Sequence, residues 1–186
     1  MPCPICHKEH LESPPELIAV LAGTPKRLAR LAARLTPRSS VARPAADKWS
    51  PKEIVCHLAD CELVYGCRYR KIICEPNAKL LAFDQDAWAR QLRYQAQLLK
   101  EALAAFSSLR AAHVSLFKSL PGECWDKAGE HSEYGIVRLR ELAGHIAQHD
   151  VSHITQLERM CPPVKAAKKP AVKVKARPKA RTRARR

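Results

Sequence analysis

Apolar residues return every three or four positions along four long stretches of the chain, the spacing that lays one hydrophobic stripe along an α-helix. The first stretch opens at "SPPEL", where Ser13 is placed to cap and the prolines suit a first turn, and runs towards Leu35. "GTP" at 23–25 is a candidate break, with Thr24 capping a restart at Pro25. "TPRSSVARPAAD" then reads as a loop. The next start is the clearest: "SPKE" sets Ser50 at the N-cap, Pro51 at N1 and Glu53 at N3, a capping box. That helix should reach Cys74, where "EPNAK" stops it. A third region covers Asp84 to Leu120, as a short turn around Trp88 followed by a long helix. Leu99, Ala102, Phe106, Leu109, His113, Leu116 and Leu120 step along it by threes and fours, and "PGE" ends it. After a loop containing "GEHSEYG", the fourth helix begins near Val137 and stops before "CPP" at 161–163.

Four amphipathic helices over residues 13–161 predict an all-α protein, a four-helix bundle whose functional sites are built from inward-facing side chains. Residues 1–12 are too short and polar to form a domain. No apolar run is long enough to span a bilayer, and the first residues lack the layout of a signal peptide. The expectation is a cytoplasmic protein with no membrane partner. A homodimer is compatible with the pattern, which does not fix the oligomeric state.

The net charge of +15 changes this picture only at one end. Eleven of the 33 Lys and Arg fall between Val164 and Arg186, a stretch without acids or apolar periodicity. Such a segment cannot offset its ordering entropy, so residues 162–186 are expected to be a disordered basic tail. Its physical partner would be polyphosphate, DNA or RNA bound non-specifically through residues 164–186. A purely solubilising tail is the alternative.

Histidines on the fourth helix carry the candidate chemistry. At 100° per residue, with Leu142 at zero, the apolar stripe centres near about 30°, His153 falls at about 20° and His149 at about −20°. His145 falls on the flank, at about −60°, and its rise of about 12 Å to His153 is too long for one shared ion. On the second helix His57 faces the core, as do Val64, Arg68, Cys61, Ile54 and Ile72. Three inward histidines from two helices suit Zn²⁺ or Ni²⁺ with coordination positions left open. Cys61, one turn beyond His57, is a candidate extra ligand or a thiol lining the cofactor site. Hydrogen-bonded core histidines are the alternative reading of the same spacing.

The eight cysteines do not read as a disulfide framework in that compartment. Cys56, Cys67 and Cys74 share one helical face and are expected to be small, semi-buried thiols. "CPICHKEH" brings Cys3, Cys6, His7 and His10 together. Without an export signal, haem attachment to CxxCH is not expected, and the readings are half a zinc knuckle, for which Cys124 or Cys161 are candidate further ligands, or an unstructured start.

Several segments together resemble the DinB/YfiT-like superfamily of metal-binding four-helix bundles: "KWSPKEIVCHLADCE" (48–62), "FDQDAWA" (83–89), "HSEYG" (131–135) and "ELAGHIAQHDVSHITQLE" (141–158). The resemblance implies a divalent metal held by one histidine of the second helix and an HxxxH pair of the fourth, here His57, His149 and His153. Related bundles include bacillithiol- and mycothiol-dependent transferases and a thiol-dependent isomerase. It therefore implies metal binding strongly and a particular reaction weakly. The expected function is a metal-dependent thiol S-transferase or hydrolase acting on a small electrophilic substrate, with a low-molecular-weight thiol or a water as nucleophile. His131 and Tyr134 are candidate catalytic residues for proton transfer or positioning, and Asp60 and Asp150 are candidates to orient ligand imidazoles. The alternative is a nucleic-acid-associated or scaffold protein with a structural metal, targeted by its tail.

Overall fold

The computed structural model describes residues 13–161 together with Cys3, Pro4, Ile5, His7, Glu9 and Leu11. The Cys6 and His10 donors, and the basic tail with the nucleic-acid reading attached to it, lie outside the described residues. Four long helices make the bundle: α1 (Pro14–Ala32), α3 (Pro51–Cys74), α5 (Leu99–Ser119) and α6 (Leu139–Met160). Helix α3 packs on both α5 and α6, and α1 packs on the same two. Two short helices, α2 (Pro37–Val41) and α4 (Gln85–Gln91), lie in the connections. The first corrects the loop expected at "TPRSSVARPAAD". Thr36 caps it by accepting the Ser39 N–H at 3.1 Å.

The capping box at the head of α3 is formed in both directions, Ser50 Oγ accepting from Glu53 N at 3.3 Å and Glu53 Oε2 from Ser50 N at 2.8 Å. Helix α1, by contrast, runs unbroken through "GTP", and Ser13 caps it without a side-chain hydrogen bond. Pro25 has no N–H for the Leu21 carbonyl one turn earlier, a costly position inside a helix. That carbonyl instead accepts from Arg110 Nη1 at 3.3 Å, so the missing donor is replaced from a neighbouring helix.

Arg110 belongs to a buried charge cluster. It makes a two-pronged pair with Glu62, Nε to Oε2 at 2.8 Å and Nη2 to Oε1 at 2.7 Å, and donates Nη1 to Asp150 Oδ2 at 2.6 Å. His113 Nδ1 lies 3.0 Å from Glu62 Oε2. Gly66 makes room for this histidine, since a Cβ there would meet His113 Nε2 at 2.3 Å.

A small sheet interrupts the all-α pattern. Strand β1 (Lys79–Leu80) runs parallel to β2 (Ala128–His131), which pairs antiparallel with β3 (Gly135–Arg138), Leu80 opposite His131 and His131 opposite Gly135. The loop expected at "GEHSEYG" is therefore a hairpin, closed where Gly135 takes a φ of +70°. Helix α6 starts two residues later than Val137, its first turn fixed by Glu141 accepting the Arg138 N–H at 2.7 Å. Among the described residues no helix is long and apolar enough to cross a membrane.

The cysteines of α3 do not behave as one face. Cys67 and Cys74 are exposed, whereas Cys56 is buried beneath the 3₁₀ turn Tyr94–Ala96, with its Sγ 3.9 Å from the Tyr94 carbonyl.

Candidate metal centre

Packing of α6 on α3 brings His57 and His149 together from ninety-two residues apart in sequence, Nε2 to Nε2 at 3.0 Å. His153, one turn beyond His149, joins them: its ring centroid is 4.5 Å from that of His149 and 5.1 Å from that of His57. Its Nδ1 lies 3.1 Å from the amide oxygen of Gln156, a partner that only accepts, so the proton sits on Nδ1 and the lone pair on Nε2. Trp49 covers the group, 4.7 Å from His57 and stacked 6.4 Å from His153. Cys61 Sγ lies 3.5 Å from His57 Nε2. One ligand atom each from His57, Cys61 and His149 fall within 4.8 Å of one another.

All three imidazoles are held neutral. Burial, reinforced by His153, lowers His57 to about 3. His149 is pushed well below its ordinary value by burial and then by the neighbouring histidines, and burial lowers His153 as well. Neutral imidazole is the form that binds metal. Two neutral rings pointing Nε2 at Nε2 fit a divalent cation as the shared partner, and the other nitrogen of His149, Nδ1, is buried without a hydrogen-bond partner among the described residues in either case. Cys61 is less suited as it stands. Burial, then the charges of Asp150, Glu62 and Asp60, push its thiol upward, so a metal would have to displace the proton to recruit it.

Neither expected carboxylate orients a ligand. Asp60 accepts the phenol of Tyr94, and Asp150 is taken by Arg110. In each case a stronger or nearer donor on another element claims the oxygen first.

His57, Cys61 and His149 open onto a cavity of about 410 Å³ that His145, His131 and Tyr134 also line. His153 is not among the lining residues. His131 reaches the cavity from β2, and its ring lies 4.6 Å from that of Tyr134. Its Nδ1 accepts the Glu133 backbone N–H at 3.2 Å, which leaves the ring proton on Nε2. Burial, then the Arg68 charge, lowers its basicity. The Tyr134 phenol is pushed up by burial and by Glu133. Both groups are therefore donors at neutral pH. The sequence reading did not assign a role to Arg68, Tyr65 or Phe83, which line the same cavity. The signals available were the inward helical phase of Arg68 and the place of Phe83 in the segment "FDQDAWA".

Comparison with known proteins points the same way. The family model described as the DinB superfamily matches residues 21–157. A protein of Oceanobacillus iheyensis, provisionally named a metal-dependent hydrolase, is 23% identical over 113 residues, or 61% of this chain and 65% of that protein. One from Bacillus cereus with the same provisional name is 26% identical over 114 residues, 60% of this chain and 65% of that protein. The chain thus spans just under two thirds of these relatives. Among solved structures, YfiT from Bacillus subtilis, described with reserve as a metal-dependent hydrolase of unusual four-helix-bundle topology, superposes with a TM-score of 0.73 at 22% identity. That match covers 85% of this chain and 95% of YfiT. The mycothiol-dependent maleylpyruvate isomerase shares the fold at a TM-score of 0.62 and 11% identity, over 78% of this chain and 60% of that one.

Proposed function

The chain belongs to the DinB superfamily, and from that premise we propose that it is a metal-dependent enzyme, a hydrolase or thiol transferase acting on a small electrophilic substrate. One observation carries this reading: three neutral histidines from two helices converge within a few ångströms, and two of them face an open cavity. His57, His149 and His153 would hold the divalent cation, Zn²⁺ or Ni²⁺ by their nitrogen character. A metal so bound supplies Lewis-acid chemistry, lowering the pKa of a water or a thiol bound to it. The protein's own residues do the remainder. His131 offers Nε2–H and Tyr134 its hydroxyl to the cavity, as donors to an oxygen that gains negative charge. Trp49 packs against His57 and His153 and is not among the residues that line the cavity. A site purely for structure is usually closed by four protein ligands, whereas here the fourth candidate, Cys61, is a protonated thiol.

The test is metal content followed by turnover. Purified His149→Ala is expected to fold and to lose stoichiometric metal; full retention by the folded variant would refute the site. Ester hydrolysis and thiol-plus-electrophile assays, each run with and without chelator, then separate the two reaction types. Activity indifferent to chelation would count against both.

A further inference from the structure

The cavity contains a second unsatisfied feature, Arg68. Its residue is 5% exposed, three turns beyond His57 on α3, and it lines the cavity that His57 and His149 face. Nη2 donates to the Leu81 carbonyl, and the guanidinium carbon stands 4.8 Å from the Tyr65 ring and 5.9 Å from the Phe83 ring. Nε is buried with no hydrogen-bond partner among the described residues. No carboxylate among them lies within ion-pair distance of Arg68.

Arg110 shows what this bundle does with a buried guanidinium that serves structure: it is surrounded by Glu62 and Asp150. Arg68 has no such counter-charge, and an uncompensated buried cation is costly unless something else supplies one. Two carboxylates do line the same cavity. Asp84 is committed to capping α4, accepting the Ala87 N–H at 2.8 Å, and Glu133 is an exposed residue of the hairpin turn. Neither reaches the guanidinium.

We propose that Arg68 is the anion-binding group of this cavity, and that the substrate presents a carboxylate to it while its reactive centre lies at the three histidines. The proposal rests on the cavity's being the substrate site of the metal-dependent enzyme. A guanidinium gripped by one carbonyl and flanked by two aromatic rings is held in orientation, with donors left for a planar carboxylate. Cavities of this size accommodate small molecules and use a few fixed polar groups to orient them.

Benzoate and its neutral counterpart benzamide, titrated by calorimetry into the full-length protein, test this directly. Both zinc-loaded and chelator-treated protein are used, with zinc content measured in parallel. Wild type is expected to bind benzoate at least about tenfold more tightly than benzamide in either state. Arg68→Met should lose that preference while keeping wild-type zinc, and Arg68→Lys should keep part of it. Equal binding of the two probes, no saturable binding of benzoate, or full benzoate affinity in folded Arg68→Met would each overturn the proposal. If Arg68→Met does not fold, the wild-type ratio and Arg68→Lys decide. Failure of wild type to retain zinc refutes the metal reading alone, because the benzoate preference of the chelator-treated protein stands separately.

Discussion

Nδ1 of His149 lies 4.0 Å from Oδ1 of Asp150, its neighbour in sequence, and no hydrogen bond joins them. Consecutive residues on a helix point about 100° apart. His149 faces α3 and the cavity, while Asp150 turns to Arg110. Asp150 thus holds the bundle together beside the site without steering the imidazole. Asp150→Asn should therefore cost stability, about 1–3 kcal/mol in denaturant unfolding. Metal affinity should change by less than about tenfold. A loss of about 10–100-fold, typical when a ligand loses its orienting partner, would show that the carboxylate does reach the ring once metal is bound.

His153 and Cys61 compete for the place of third ligand. His153 has its lone pair prepared on Nε2 by the bond to Gln156, whereas Cys61 must first give up a proton that its surroundings hold firmly. His153→Ala should weaken metal binding far more than Cys61→Ser, a ranking measurable by competition with a chelator of known affinity. The reverse order would assign the thiol to the metal.

The placement of the three histidines was legible in the sequence because helical periodicity alone decides which face a residue occupies. Residues 145, 149 and 153 are equally spaced, yet only two fall near the apolar stripe, and the structure places His145 among the residues that line the cavity. Periodicity does not say which polar group on one helix will claim which on another. Asp60 was within reach of a histidine in sequence but is bonded to Tyr94, on a turn whose position no pattern announces. The sheet escaped for a different reason: strands of two and four residues carry too few alternations to register. Its hairpin matters nonetheless, since it delivers His131 and Tyr134.

Acid should destabilise the metal-free protein through His57. In the unfolded chain this ring takes a proton below about pH 6.5, but folded it resists protonation until about pH 3. The unfolded state therefore binds more protons within that window, and stability is lost as pH falls through it. Asp150, raised by burial to about 6, acts in the opposite sense: it is protonated in the folded state before the unfolded one, and offsets part of the loss between about pH 6 and 4. Unfolding midpoints measured from pH 7 to 4 should fall in wild type and fall less in His57→Phe. Parallel curves would contradict the assignment.

Arg110→Met removes the only described cation that pairs with both Glu62 and Asp150, leaving two buried carboxylates facing each other's field. Breaking a buried pair by removing one partner costs roughly 3–5 kcal/mol, and here the Leu21 carbonyl beneath Pro25 loses its donor as well. Urea unfolding should show a loss at the upper end of that range. Adding Glu62→Gln to Arg110→Met should restore part of it.

The ninety-two residues between His57 and His149 also bear on when the site comes into being. A chain leaving the ribosome exposes α3 long before α6 is made, and a lone histidine is a poor trap for metal. Of the three histidines assigned to the metal, the i, i+4 pair of α6 is the last to emerge, and the set is completed only when that helix docks against α3. Capture of a cation by all three histidines would therefore be a late event of folding, a mark that the bundle has closed.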